Sequence, residues 1–260
     1  MPDDLITVLF LGDVIGKPGR QAAAEYLQDT RADFKLINGE NLAGGLGITP
    51  RVAIEMLESG ADGITTGNHV WRKKEVIPYL MAENRVIRPM NYPPGTPGFG
   101  STVLKKNGKA ICIANIEGRT FMGPLDCPFR AMEGFFSTRA DDAPPVIVDF
   151  HAEATSEKIA MGWFLDGRAS CLVGTHTHVQ TADETILPNG TGYITDMGMT
   201  GPTDSVIGME KDAVIERFLT QLPQKYEVAR AGLQVQGVMI TINAQSKRCV
   251  SIKRIRERVA

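Results

Sequence analysis

Short apolar runs, each ending in glycine or polar residues, punctuate the chain. Leu5 to Leu11, Phe34 to Ile37, Gly63 to Thr65, Val146 to Phe150 and Ala169 to Val173 have the length and composition of buried strands. Between them the apolar period lengthens to that of a helix. Pro18 is placed to open a helix running to about Asp29. Thr49 and Pro50 supply an N-cap and first turn for a helix with Val52, Ile54, Met56 and Leu57 on its apolar side, and a further helix covers roughly Ser156 to Leu165. Three successive strand, loop and helix units predict a right-handed parallel arrangement. Asn107-Gly108, between Ser101 to Lys105 and Lys109 to Asn115, predicts a β-hairpin, which makes the sheet mixed. A second hairpin is predicted around Pro188-Asn189-Gly190, and Val235 to Asn243 with Cys249 to Ile255 form a closing antiparallel pair. Val214, Ile215, Phe218, Leu219 and Leu222 recur at helical spacing and predict an amphipathic covering helix over Glu210 to Leu222. Pro89 to Pro97 reads as a surface connection and Glu117 to Phe129 as a loop. With no internal repeat and no shift in composition, residues 1–260 read as a single α/β domain.

Composition narrows the class without naming a function. A hydrophobic fraction of 43% and a charged fraction of 22% are those of a soluble globular protein, and a formal net charge of -2 gives no bulk attraction to nucleic acid or anionic lipid. The first apolar run is far too short to span a bilayer, so the expected location is cytoplasmic, without membrane association. The four cysteines contain no Cys-x-x-Cys, and Cys112, Cys171 and Cys249 sit in strand-like runs, as buried free thiols do. Lys247, Arg248, Lys253, Arg254, Arg256 and Arg258 make the C-terminal strand basic. RNA as a partner is one reading, and charges that guard an edge strand against aggregation are the other. Homo-oligomerisation is left open.

The candidate chemistry sits at the ends of the predicted strands. All four histidines of the chain, His69, His151, His176 and His178, lie just past a strand, where an open α/β sheet forms its ligand crevice. In an extended segment His176 and His178 would aim at one point. Asp13, Glu40, Asn41 and Asn68 fall at the same end. Gly12 to Gly19 resembles a phosphate loop only superficially, because its glycine spacing is one short and Pro18 replaces the hydroxyl residue after Lys17. Asp13, Glu40, Asn41, Asn68, His151, His176 and His178 are too many donors for one tetrahedral ion, but with one bridging carboxylate they suffice for two. Imidazole argues against magnesium or calcium, leaving iron, manganese or zinc. Two divalent ions outweigh two carboxylates, so the centre favours an anionic substrate and suits attack of an activated hydroxide on phosphorus. His69, the one histidine not otherwise used, is the candidate general acid for the leaving alkoxide. Arg119 and Phe121 are candidate substrate contacts, with Arg119 either gripping a phosphate or lying idle at the surface. Arg72, Lys73 and Lys74 are further cationic candidates.

Gly12-Asp13, Gly67-Asn68-His69, His151 and Gly174-Thr175-His176-Thr177-His178 resemble, in order and over most of the chain, the spaced motifs of calcineurin-like metallophosphoesterases. Ile15 occupies the histidine position of the usual Asp-x-His, and Glu40 with Asn41 replaces the usual bridging aspartate. These departures, with Asn38-Gly39-Glu40-Asn41 and the Asp196 to Pro202 loop, resemble the YmdB-type branch, whose members hydrolyse phosphodiesters including 2′,3′-cyclic nucleotides. The resemblance implies a four-layer sandwich of two mixed β-sheets flanked by helices. It implies one metal, iron first, on Asp13, Glu40, Asn41 and His178, and another on Glu40, Asn68, His151 and His176. A phosphomonoesterase on the same site, or a metal-stabilised scaffold with RNA as partner, are the competing readings.

Overall fold

The computed structural model describes residues 4–259. In chain order its elements are β1 (Leu5–Leu11), β2 (Asp13–Val14), α1 (Gly16–Asp29), β3 (Phe34–Asn38), α2 (Pro50–Glu58), β4 (Gly63–Thr65), a 3-10 turn (Val70–Arg72), α3 (Val76–Ala82), β5 (Ser101–Lys106), β6 (Lys109–Glu117), α4 (Pro128–Ser137), β7 (Val146–His151), α5 (Thr155–Leu165), β8 (Cys171–Thr175), β9 (Thr185–Ile186), β10 (Gly192–Ile194), β11 (Met199–Pro202), α6 (Lys211–Thr220), β12 (Leu233–Asn243) and β13 (Cys249–Arg258). One sheet runs β2-β11-β12-β1-β3-β4, with β13 paired to β12, and the other runs β5-β6-β7-β8-β10-β9. Both are mixed. β1, β3 and β4 are parallel, as are β6, β7, β8 and β10, while β12 pairs antiparallel with β1.

Alternation along each strand decides how the sheets stack. On β1, Ile6, Val8 and Phe10 face one core while Leu9 and Leu11 face another; on β6, Ile111 and Ile113 enter the first and Cys112, Ala114 and Ile116 a third. The shared core joins Phe34, Leu36, Ile240 and Ile242 of one sheet to Ile147, Val173 and Ile194 of the other. Helices close the outer faces: Ala22, Ala23 and Leu27 of α1 with Val52 and Met56 of α2 on one side, Met132 of α4 with Met161 and Leu165 of α5 on the other. The result is the expected four-layer α/β sandwich. Among the described residues no helix is long and apolar enough to cross a membrane. All four cysteines are free, and Cys112, Cys171 and Cys249 are buried.

Three sequence expectations need correction. The Glu117 to Phe129 segment does not stay a loop to its end, since α4 starts at Pro128, a proline at the first helical position. Residues 199–202, expected within the Asp196 to Pro202 loop, form β11 because their backbone pairs with β2 on one side and β12 on the other. The helix α6 is present but buries little of its apolar stripe: Val214 is buried, whereas Ile215, Phe218, Leu219 and Leu222 stand exposed. The face of β11 and β12 is packed by α1 instead.

Candidate metal centre

The carboxyl ends of β1, β3 and β4 from one sheet meet those of β7 and β8 from the other, so the two sheets contribute jointly to one buried polar cluster. Asp13, Glu40, Asn41 and His151 are buried, and Asn68, His69, His176 and His178 are partly open to solvent. Glu40 lies at the middle. Its Oε2 is 3.0 Å from His151 Nε2 and its Oε1 is 3.2 Å from His69 Nδ1. His151 Nε2 also lies 3.0 Å from Asn68 Oδ1 and 3.1 Å from His176 Nδ1. On the other side of Glu40, His178 Nε2 is 3.7 Å from Asp13 Oδ1 and 3.3 Å from Asn41 Nδ2. Donor atoms of Glu40, His151 and His176 form one group close enough to share an ion, and those of Asp13, Glu40 and His178 form a second. All seven candidate ligands and His69 are thus brought together.

The imidazoles are oriented from outside. Thr175 Oγ1 donates to Asp149 Oδ1 at 2.7 Å and so accepts from His151 Nδ1 at 2.9 Å. The Ile207 carbonyl accepts from His178 Nδ1 at 3.0 Å, and Glu153 Oε2 faces His176 Nε2 at 3.2 Å. With each outer nitrogen carrying the proton, three inner lone pairs point into the cluster. Asp13 Oδ1 is buried with no hydrogen-bond partner, an expensive state for a carboxylate oxygen that no cation meets. One imidazole N–H cannot satisfy Glu40, Asn68 and His176 together. This donor set fits divalent ions with nitrogen and oxygen ligands. Asn41 is the exception in orientation: its Oδ1 faces His69 Nδ1 at 2.9 Å and its Nδ2 donates to Glu40 Oε1 at 2.9 Å. A half-turn of the amide exchanges the two atoms without changing the shape of the side chain.

Protonation in the metal-free cluster follows the crowding of charge. Burial pushes the Asp13 carboxyl up to about 6 against the pull of His178 and His151. Burial acts the same way on Glu40, but His151 and His69 outweigh it and hold this carboxyl well below the usual range. For His151 burial disfavours the cation, yet Glu40, Asp13 and Asp149 raise it to about 9; burial and the His151 charge push His176 down to about 3. Protons therefore occupy the region where cations fit.

The backbone around the cluster is tight and partly strained. His176 and His178 have φ of 98° and 64°, so the His-x-His segment is left-handed at both histidines, not extended as the sequence reading expected. Such conformations persist where surrounding contacts over-determine them. Asp196 Oδ2 accepts from Thr177 N at 3.1 Å and Thr177 Oγ1 at 2.7 Å, and Asp13 Oδ2 accepts from His176 N at 3.1 Å. Beneath them the fully buried Lys158 donates to Asp196 Oδ2 at 2.8 Å and to the Thr175 carbonyl at 2.7 Å. A Cβ on Gly67 would lie 2.3 Å from His151 Nε2 and 2.4 Å from Glu40 Oε2, so only glycine leaves the two side chains in place. Sequence reasoning missed Asp149, Glu153 and Lys158, and it named Thr175 and Asp196 only as members of the Gly174 to His178 motif and the Asp196 to Pro202 loop. For Thr175 the available signal was its place inside the Gly174 to His178 motif.

Residues 9–255 match the family model described as YmdB-like protein. The chain is 49% identical over 252 residues to a 2′,3′-cyclic-nucleotide 2′-phosphodiesterase of Bacillus subtilis, covering 95% of this chain and 96% of that protein. A hypothetical protein of Thermus thermophilus has a solved structure that matches with a TM-score of 0.91 at 42% identity, covering 98% of this chain and 100% of the other. The structure of a novel phosphatase from Mycoplasma pneumoniae matches with the same TM-score, 0.91, at 35% identity, covering 98% and 94%. On the strength of a family match across nearly its whole length, the chain belongs to the YmdB-like protein family.

Proposed function

We propose that the chain is a dinuclear metal-dependent phosphodiesterase that opens 2′,3′-cyclic nucleotides. The observation that carries this reading is the set of three inner imidazole nitrogens, held in place from outside by Thr175, Glu153 and Ile207, that converge with the orphaned Asp13 oxygen on Glu40. The name of the Bacillus subtilis relative supplies the substrate class. Asp13, Glu40, Asn41 with its amide turned, and His178 would hold one ion; Glu40, Asn68, His151 and His176 would hold the other, with Glu40 as the bridge. Iron is the first choice, and manganese or zinc suit the same donors. When bound, two such ions supply Lewis-acid charge and a low pKa for water at neutral pH.

The chain's own residues do the rest. His69 is tied through Nδ1 to Glu40 Oε1 at 3.2 Å, which fixes the ring beside the centre and leaves Nε2 for the substrate. From there Nε2–H can protonate the ribose oxygen as its bond to phosphorus breaks. The cyclic diester needs only that one proton.

Metal-stripped protein and protein reloaded with iron or manganese should be compared on 2′,3′-cyclic AMP and on a nucleoside monophosphate, with metal counted in the same samples. The expected result is metal-dependent opening of the diester with little action on the monoester. His69→Ala should keep both metals and lose about 100-fold or more in kcat, as for removal of a general acid. Two bound metals with no turnover of either substrate would overturn the enzymatic reading.

A further inference from the structure

Beside the proposed centre lies a cleft of about 680 Å³ lined by Arg88, Tyr92, Arg119, Asp126, Cys127 and Arg130 among others. It has the size of a small-molecule site. Tyr92 connects it to the centre: its ring packs edge-on against Trp71 with centroids 5.6 Å apart, and Trp71 follows His69 by two residues. The Tyr92 hydroxyl donates to Glu117 Oε2 at 3.4 Å, and Glu117 lies opposite His151 in the β6 to β7 register. Gly118 N then donates to the His151 carbonyl at 2.9 Å, so Arg119 follows directly from a segment pinned to a candidate metal ligand.

The cleft carries positive charge that the protein does not answer. Arg88 is 8% exposed, and its guanidinium donates only to backbone carbonyls, Pro89 at 2.7 Å, Thr96 at 2.9 Å and Pro97 at 3.0 Å. Among the described residues Arg119 and Arg130 form no ion pair, and Asp126 is the one carboxylate in the lining. Of the three arginines only Arg88 is buried, and a guanidinium out of water is normally paired with an anion; with the exposed Arg119 and Arg130 beside it, three cations against one carboxylate leave a place for an anionic group. The start of α4 adds to it, since Cys127 makes no side-chain cap for the first-turn N–H groups and Arg130 sits in that turn.

We propose that this cleft binds a second phosphate of the substrate, one carried on the 5′ side of the nucleotide whose cyclic phosphate sits at the metal centre. The inference rests on the phosphodiesterase reading above. A phosphate and a guanidinium pair match in charge and in fork geometry, and Arg119 and Arg130 are free to close on it. Both a terminal 5′-monophosphate and an internucleotide diester have this chemistry.

Three substrates separate the outcomes: 2′,3′-cyclic AMP with a free 5′-hydroxyl, the same compound phosphorylated at the 5′ oxygen, and a dinucleotide ending in a 2′,3′-cyclic phosphate. The metal-loaded protein is expected to favour the two forms with a second phosphate by about tenfold in kcat/KM at low salt, and the preference should shrink as salt rises. In Arg119→Gln with Arg130→Gln the ratio of kcat/KM between phosphorylated and unphosphorylated forms should fall toward one. A larger gain for the 5′-monophosphate points to a mononucleotide, and an equal gain for the dinucleotide points to an oligonucleotide end; either supports the cleft. Turnover of all three at one rate would overturn the cleft and leave the centre's function standing. No turnover of any would overturn the reading of the centre, and this inference with it.

Discussion

At the scale of single residues, the centre is governed by which atom of each side chain faces inward. Asn41 is the position where this matters most, because its neutral amide would stand in for the imidazole that the usual motif carries where this chain has Ile15, and an amide is the weaker donor. The ion that it would share with Asp13, Glu40 and His178 should be the more easily lost. Graded chelation followed by metal counting is expected to remove one ion per chain before the other. Asn41→Asp, which keeps the shape and adds charge, should retain both ions at a chelator concentration that takes one from the parent. Loss of both ions together from the parent would show that the amide sets no difference. The candidate ligands were legible because imidazoles and carboxylates at strand ends are visible in any sequence. Their supports were not. Thr175, Glu153 and the Ile207 carbonyl act through single hydrogen bonds fixed by tertiary structure, and nothing in residue type marks them in advance.

At the scale of elements, strands were readable because burial on both faces needs unbroken apolar runs, and β1 and β4 fall at the bounds expected from sequence. Two strands were less legible: β2 has two residues, and β11 carries a glycine and exists only through pairing with its neighbours. The helical period of α6 was equally clear, yet periodicity says nothing about whether a surface awaits the apolar stripe. Lys158 is a different failure. On α5 it looks like an ordinary solvent-facing lysine, but it is fully buried and bonded to Asp196, the residue that holds the turn between His176 and His178. Breaking a buried pair leaves an uncompensated charge and costs about 3–5 kcal/mol. Lys158→Met should therefore lower unfolding stability by roughly that amount, and should also weaken metal retention, because the left-handed histidines lose their brace. Denaturant titration and metal counting on the same preparations check both effects. A destabilised variant that keeps its metals as tightly as the parent would show that the loop stands without the pair.

At the scale of the whole molecule, two sheets meet over one shared core, and polar links tie them together beyond it. At the carboxyl ends of the strands the candidate metal ligands come from both sheets. Elsewhere Lys109 of β6 bonds Asp33 at 2.8 Å and Lys106 of β5 bonds Asp62 at 2.9 Å, and these two carboxylates immediately precede strands of the other sheet. We propose that the chain unfolds as one domain, since neither sheet can keep the Phe10, Leu36, Ile147 and Val173 core dry alone. Trp71 and Trp163 lie in opposite halves of the sandwich, so single-tryptophan variants should report the same urea midpoint; separated midpoints would divide the chain in two. The Asp33 tie gives this transition a pH dependence of known sign. Burial raises the Asp33 carboxyl, but Lys109 and the Thr7 N–H and hydroxyl outweigh it and hold it below its ordinary value of 3.8. A depressed carboxylate contributes stability that is present above the unfolded value and lost as pH falls through the folded one. Asp33→Asn should accordingly cost about 1 kcal/mol at pH 7, where the charge-assisted bonds of a partly exposed group are intact, and the gap to the parent should close as pH drops below about 4. Urea unfolding of parent and variant at pH 7 and at pH 3 measures it, and a gap that persists undiminished at pH 3 would place the effect in shape and not in charge.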